Sequence, residues 1–204
     1  MRQHVFRPVI VGIGGTTRSP SSCEHAVQHV LTGAAQQGAR VVMFNGQALE
    51  MPFYNPAVPS RTPEARALVA ALREADAVVI ASPGYHGTIS GLVKNALDYT
   101  EDMRDDSEPY LDGRAVGLIA CAGGWQATGS TINALRSIVH ALRGWPSPLA
   151  AAINTSQPVF SPDGTCISES VRQSLDTMAE QIMQFAYGFG RRRDFPPQFA
   201  AGSR

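Results

Sequence analysis

Short, continuously apolar runs alternate along this chain with longer stretches of helical period, and that alternation most limits what it can fold into. Pro8 to Ile13 (PVIVGI) reads as a buried strand ending at Gly14-Gly15. From Ser21 to Gln37, Ala26, Val27, Val30, Leu31 and Ala34 recur at helical spacing, and Gly38 ends the run. Ala39 to Phe44 is a second strand, followed by a polar, proline-containing loop from Asn45 to Thr62 that is long enough to suggest a functional surface. Pro63 suits the first turn of a helix reaching about Glu74. Ala75 to Ser82 (ADAVVIAS) is a third strand of the kind buried on both faces. Further along, the pattern predicts a helix from about Ile89 to Asp102 and a fourth strand from Arg114 to Ala122. A Gly-rich turn then leads into a helix from about Ser130 to Leu142, a short fifth strand from Leu149 to Ile153 and a last helix from Ser168 to Phe185, N-capped near Ser168.

Five strands separated by helices imply a parallel sheet covered on both faces by right-handed crossovers, a three-layer α/β fold. In such sheets ligands bind beyond the carboxyl ends of the strands, where the strand order reverses. The loops after strands one, three and four are therefore the candidate site. At 204 residues the chain fits one domain, expected over 1–187, with 188–204 expected to be a flexible tail carrying Arg191-Arg192-Arg193. Lys plus Arg balance Asp plus Glu at 17 each, which argues against nucleic acid as a partner. The three cysteines show no Cys-x-x-Cys spacing, so neither a disulfide framework nor a thiolate zinc site is expected. Neither a signal peptide nor a membrane-length apolar window is evident, and a cytoplasmic location is the expectation.

The first loop runs Gly14-Gly15-Thr16-Thr17-Arg18-Ser19-Pro20-Ser21-Ser22. A Walker loop would end in Gly-Lys-Ser/Thr, and no lysine is present. A dinucleotide fingerprint needs a third glycine where Thr17 stands, and an acid after strand two where Asn45-Gly46 stands. What remains is a hydroxyl-rich loop with one arginine at a helix N-terminus, where outward N–H groups favour an anion. Thr16, Thr17, Ser19, Ser21 and Ser22 can donate hydroxyl hydrogen bonds to a terminal monophosphate, Arg18 can add charge-assisted ones, and Cys23 in the same turn is expected to border the cofactor. A mononucleotide such as FMN fits; the competing reading is an ordinary capped Ser-Pro-Ser turn.

Ser82-Pro83-Gly84-Tyr85-His86-Gly87-Thr88 comes directly after strand three. Its proline and glycines let backbone approach a flat ligand, and amides of the next helix would face the pyrimidine edge of a flavin. Tyr85 can pack along the ring; His86 can hydrogen-bond it or remain a surface residue. After strand four, Cys121-Ala122-Gly123-Gly124-Trp125 again offers close main-chain approach. Trp125 is a candidate for the substrate pocket, with a hydrophobic edge or a subunit contact as the alternative. Cys121 reads as a small buried apolar residue.

Taken together, these segments resemble the NAD(P)H-dependent FMN reductase family, whose members are flavodoxin-like. Gly15-Thr16-Thr17-Arg18-Ser19-Pro20-Ser21 parallels that family's Gly-Ser-x-Arg-x-x-Ser loop. Ser82-Pro83-Gly84-Tyr85-His86 and then Ser90-Gly91-Leu92-Val93-Lys94-Asn95-Ala96-Leu97-Asp98 parallel its more specific second signature. Ala122-Gly123-Gly124 matches its third, glycine-rich turn. The resemblance implies a five-stranded sheet of order 2-1-3-4-5 and FMN held at its phosphate by Thr16, Arg18 and Ser21. Pro83, Tyr85, His86 and Gly87 would border the ring on one side, with Ala122 and Gly123 on the other. Thr16 in place of serine keeps the hydroxyl, whereas Gly84 removes a glutamate that often fixes this loop or the neighbouring subunit.

The same resemblance implies an oxidoreductase passing hydride from NADPH or NADH to FMN and on to a second acceptor, whether free flavin, a quinone, an azo dye or a nitro compound. The flavin carries the chemistry, so no catalytic side chain and no metal are expected. Implied partners are a small-molecule acceptor, a flavin-dependent monooxygenase and a second copy of the chain, in a homodimer or homotetramer. Lys94 and Asp98 lie either at that interface or in a surface i,i+4 pair. Competing readings are a flavodoxin-type electron carrier, which zero net charge disfavours, and a descendant that has lost the flavin.

Overall fold

The computed structural model describes residues 6–189. Five parallel strands, β1 (Val9–Gly14), β2 (Arg40–Phe44), β3 (Ala77–Pro83), β4 (Ala115–Ala122) and β5 (Trp145–Asn154), form one sheet of order β2-β1-β3-β4-β5. Five helices connect them: α1 (Ser22–Gln36), α2 (Pro63–Glu74), α3 (Gly91–Asp98), α4 (Trp125–Ala141) and α5 (Glu169–Phe189). The three-layer flavodoxin-like architecture and its strand order are as the sequence predicts.

Strand alternation divides the core in two. Ile10, Val79, Ala81, Ile119 and Cys121 point to a cluster with α1 and α5, including Val27, Leu31, Met178 and Ile182. Val11, Ile13, Val78, Ile80 and Leu118 point to a second cluster with α2, α3 and α4, including Leu68, Val93 and Leu135. Every residue of β1, β3 and β4 is buried, which explains their unbroken apolar runs. Two charged side chains lock the amino-terminal end of the sheet, opposite the candidate site. Asp76 accepts from Val9 N at 2.8 Å, and the buried Arg114 donates to the carbonyls of Ala75, Asp112 and Arg73.

Four element boundaries differ from expectation. The helix expected over Ile89–Asp102 is an eight-residue α3 succeeded by a 3-10 turn from Tyr99 to Met103. Its start is delayed because Ser90, not a residue before Ile89, is the N-cap: the Ser90 hydroxyl accepts from Val93 N at 3.2 Å. Only Gly123-Gly124 forms the turn after β4, and α4 begins at Trp125 rather than near Ser130, since Gly129 is accommodated inside the helix. β5 begins at Trp145, well before Leu149, and includes Pro146 and Pro148. It lies at the sheet's edge, where a missing N–H is tolerated. α5 continues to Phe189, with the Ser168 carbonyl accepting from Arg172 N in its first turn. Residues 190–204, with the arginine triplet of the expected tail, lie outside the described residues.

The long loop after β2 is braced by side chains of α3 and of the turn that follows it. Asn95 Nδ2 donates to the carbonyls of Met51 (3.2 Å) and Pro52 (3.0 Å), while its Oδ1 accepts from Tyr54 N at 2.9 Å. Arg61 grips Asp102 through two hydrogen bonds of 2.7 and 2.8 Å, which hold the Asp102 carboxyl below the usual carboxylate range. Asn95 of the second signature thus acts as a brace for this loop. Lys94 and Asp98 form an exposed i,i+4 ion pair.

Candidate active site

At the carboxyl ends of β1, β3 and β4, beside the point where strand order reverses, lies a cavity of about 600 Å³. Three segments wall it. The loop and first turn after β1 contribute Thr16, Thr17, Arg18, Ser21, Ser22 and Cys23; the end of β3 contributes Pro83, Gly84 and Tyr85; the end of β4 and its glycine turn contribute Cys121, Ala122 and Gly123. Thr155, just beyond β5, closes the wall by donating from its N–H to the Ala122 carbonyl at 2.8 Å.

The first wall is built to present hydroxyl hydrogens. Ser21 is the N-cap of α1, and its oxygen accepts from Glu24 N at 3.2 Å. Thr16 Oγ1 accepts from Arg18 N at 3.2 Å. With both oxygens engaged as acceptors, their O–H groups have no acceptor among the described residues and are available to an anion. Behind them the buried Glu24 carboxylate gathers three donors: Ser21 N at 3.2 Å, the Ser19 hydroxyl at 3.1 Å and the Asn45 side-chain amide. Ser21 and Glu24 make a capping box, and Asn45 ties it to the end of β2. Glu24, Asn45 and Thr155 were not among the residues expected at the site. The Ser-x-x-Glu spacing before an apolar run is a readable sequence signal for the first.

Because all three of its partners donate, Glu24 has to act as an acceptor. Glu24→Gln would turn an NH2 toward donors, leaving at least one unpaired. We expect FMN affinity to fall about fivefold to tenfold, in line with loss of about 1–1.5 kcal/mol, and riboflavin affinity to change less; paired fluorescence titrations check this.

The second wall is tied to the first. Ser90, besides capping α3, donates from its hydroxyl to the Gly15 carbonyl at 3.3 Å, and its N–H donates to Ser82 Oγ at 2.9 Å. At the start of α3 the Ser90 hydroxyl takes up the Val93 N–H, one of the amides expected to face a ligand. By contrast α4 starts at Gly124 without a side-chain cap, next to Gly123 of the cavity wall. His86 and Gly87 do not line the cavity. They form the exposed tip of a two-residue turn between Tyr85 and Thr88, which exchange backbone hydrogen bonds of 3.0 and 3.2 Å. Positive φ at both (51° and 90°) is the signature of a type I′ turn. Trp125 is exposed, two residues beyond Gly123, and is not part of the cavity wall.

Gly84 is not an empty place in this loop. A Cβ there would lie 2.7 Å from Thr131 Oγ1, 3.1 Å from Ala122 Cβ and 3.2 Å from the Ala127 carbonyl, so the early turns of α4 occupy the room a side chain would need. Placing a side chain there, Gly84→Glu, should cost about 1–3 kcal/mol through overpacking. That lowers Tm by about 2–12 °C; an unchanged Tm in thermal unfolding would show that α4 yields.

Among the described residues, Arg18 is the single permanently charged side chain on the cavity wall, and none of them places a carboxylate there. At its floor the Cys121 thiol is pushed well up by a hydrogen bond with Cys23 and by burial. The wall is therefore positive at its hydroxyl-rich end and uncharged along β3 and β4. The NADPH-dependent FMN reductase profile matches residues 8–157, a span that contains all three wall-forming loops.

The chain belongs to the NADPH-dependent FMN reductase family. Among its relatives, an FMN-dependent NADPH-azoreductase of Staphylococcus saprophyticus is 35% identical over 115 residues, covering 55% of this chain and 57% of the relative. An NADPH azoreductase of Bacillus sp. (strain OY1-2) is 38% identical over 96 residues, 47% of this chain and 49% of that one. These matches thus span about half the length of either relative. In fold, the chain is similar to the flavoenzyme NAD(P)H:(acceptor) oxidoreductase of Paracoccus denitrificans, with a TM-score of 0.72 at 19% identity, over 91% of this chain and 100% of the other. In this member of the FMN reductase family, Gly84 stands at the second-loop position where the resemblance implies a glutamate.

Proposed function

We propose that this cavity holds FMN and that the protein is an NAD(P)H-dependent flavin oxidoreductase reducing a second, small-molecule acceptor. The observation that carries the reading is the pairing of a single cation, Arg18, with hydroxyls whose oxygens are already engaged and whose hydrogens are not. That arrangement suits a monophosphate: Arg18, Thr16, Ser21 and Ser22 would hold it, with Glu24 keeping the turn in shape. Pro83 to Tyr85 on one side and Ala122 to Gly123 on the other offer backbone and apolar surface for a flat ring. FMN, when bound, supplies two-electron acceptance and donation. The chain's own work is to bind, orient and cover, which is consistent with a wall lacking carboxylates for acid–base chemistry. His86 and Gly87, at the exposed turn tip, would border the ring from outside the cavity wall.

The azoreductase relatives favour a conjugated acceptor such as an azo compound, with quinones, nitro compounds and free flavin in the same class; delivery of reduced flavin to a monooxygenase belongs to this reading. Exposed Tyr85 and Trp125 support a cavity mouth completed by a second copy of the chain, in a homodimer or homotetramer, with Trp125 facing substrate or partner. No described helix is long and apolar enough to cross a membrane, and three free cysteines suit the reducing cytoplasm. Anaerobic stopped-flow mixing of the FMN-loaded protein with NADPH and with NADH is the test. Rapid bleaching of flavin absorbance with either donor, and then reoxidation by an azo dye or quinone, is expected; no bleaching with both donors overturns the reading.

A further inference from the structure

We infer that Cys23 and Cys121 form a dithiol redox site in the cavity floor, which hydrogen peroxide converts to an intramolecular disulfide joining α1 to β4. The two residues come from different walls. Cys23 is the second residue of α1, and Cys121 is the penultimate residue of β4. They share one space: both line the cavity and both belong to the same buried cluster, and the neighbouring Cys23 helps to raise the Cys121 thiol. Both are free thiols, buried at 2% and 5% exposure, and the cavity they line is the route by which peroxide reaches them. Hydride transfer to and from a flavin has no use for either sulfur.

The chemistry divides between the two. Cys23, in the N-terminal turn of the fifteen-residue α1, is the attacking thiol. Its sulfur attacks one peroxide oxygen; the O–O bond breaks, a sulfenic acid forms and the other oxygen leaves as water after taking up a proton. Cys121, kept protonated by its burial and its hydrogen bond, is the resolving thiol. Its sulfur attacks the sulfenic sulfur, the S–S bond forms and a second water leaves. In balance, two thiols and one hydrogen peroxide give one disulfide and two waters, the sulfurs losing two electrons and the peroxide gaining them. The bond holds its sulfurs about 2.0 Å apart, closer than two thiols in contact. It therefore draws the Ser21-Ser22 turn toward Ala122 and Gly123, across the cavity. Cys166 lies off the cavity wall and donates to the Ser168 carbonyl at 3.5 Å, which makes it an internal control.

The test is applied to the full chain, with and without FMN, and reads the chain's own covalent state, so it succeeds or fails independently of the flavin assignment. After hydrogen peroxide, denaturation and alkylation, one alkylated cysteine per chain is expected, Cys166, with the Cys23 and Cys121 peptides joined and separable by dithiothreitol. Three alkylated cysteines, irreversible sulfinic acids at both positions, or a disulfide that includes Cys166 would overturn the inference. In Cys121→Ser, a dimedone adduct is expected on Cys23; none would overturn the order of the two steps. The oxidised wild-type protein should bind FMN at least about fivefold more weakly, with recovery on reduction. Unchanged affinity would overturn the coupling between the dithiol and the cavity.

Discussion

Arg18→Ala is expected to weaken FMN binding about tenfold to a hundredfold while leaving riboflavin within about twofold of the unmodified protein. A hydrogen bond to a charged group contributes about 1.5–3 kcal/mol, and each 1.4 kcal/mol is a factor of ten in affinity. Only FMN carries the phosphate, so the effect should appear in one ligand and not the other. The structure makes this a clean experiment. Arg18 is exposed, and among the described residues its guanidinium has no hydrogen bond or ion pair, so its removal leaves no buried group without a partner. Tm in the absence of ligand should stay within about 1–2 °C, as for surface substitutions away from packed features. Fluorescence titration with both ligands is the measurement. Equal loss for FMN and riboflavin would remove the phosphate from the hydroxyl-rich end of the cavity.

Gly15→Ala is expected to destabilise the protein by more than about 3 kcal/mol, at the upper end of overpacking effects. An added Cβ would lie 2.2 Å from Val93 Cγ2, 2.5 Å from the Ala81 carbonyl and 3.1 Å from Ser82 Cα. A valine side chain can turn aside, but the other two atoms are backbone of β3. Relief would have to come from moving the loop, and the Gly15 carbonyl also receives the Ser90 hydroxyl. The change should therefore lower Tm by about 6–12 °C or more and impair FMN binding with it, since Thr16 and Arg18 are the loop's next anchors. Gly123→Ala is the control: a Cβ there meets nothing within 4 Å, so its Tm should be unaltered. Thermal unfolding of the two variants side by side decides the matter; equal Tm values would mean that the crowding at Gly15 is relieved at little cost.

The strands that cross the centre of the sheet were legible because they are buried on both faces, and continuous apolar runs at β1, β3 and β4 leave little choice. β5 was only half legible, since Pro146 and Pro148 read as breakers until the strand is known to lie on an edge. The start of α4 was hidden for a similar reason. Three glycines between 123 and 129 suggest a loop, whereas packing of Thr128 and Thr131 holds Gly129 within the helix. At the site, hydroxyls and a lone arginine announced an anion loop by composition. Glu24 was harder to see, because a buried acid behind an anion site makes sense only once Ser19, Ser21 and Asn45 are seen to donate to it. The outward placement of His86 and Gly87 depended on two consecutive positive φ values, which the residue types permit but do not require.

The outer edge of β5 has a consequence for how copies of this protein can meet. Trp145 N–H points inward, donating to the Arg114 carbonyl at 2.9 Å, and Pro146 and Pro148, in the stretch where the β4–β5 register shifts, have no N–H to offer. The next donor, Leu149 N–H, is already taken by Gln181 of α5 at 3.1 Å. Over its first half, therefore, this margin offers a foreign strand few backbone donors, which discourages edge-to-edge pairing there.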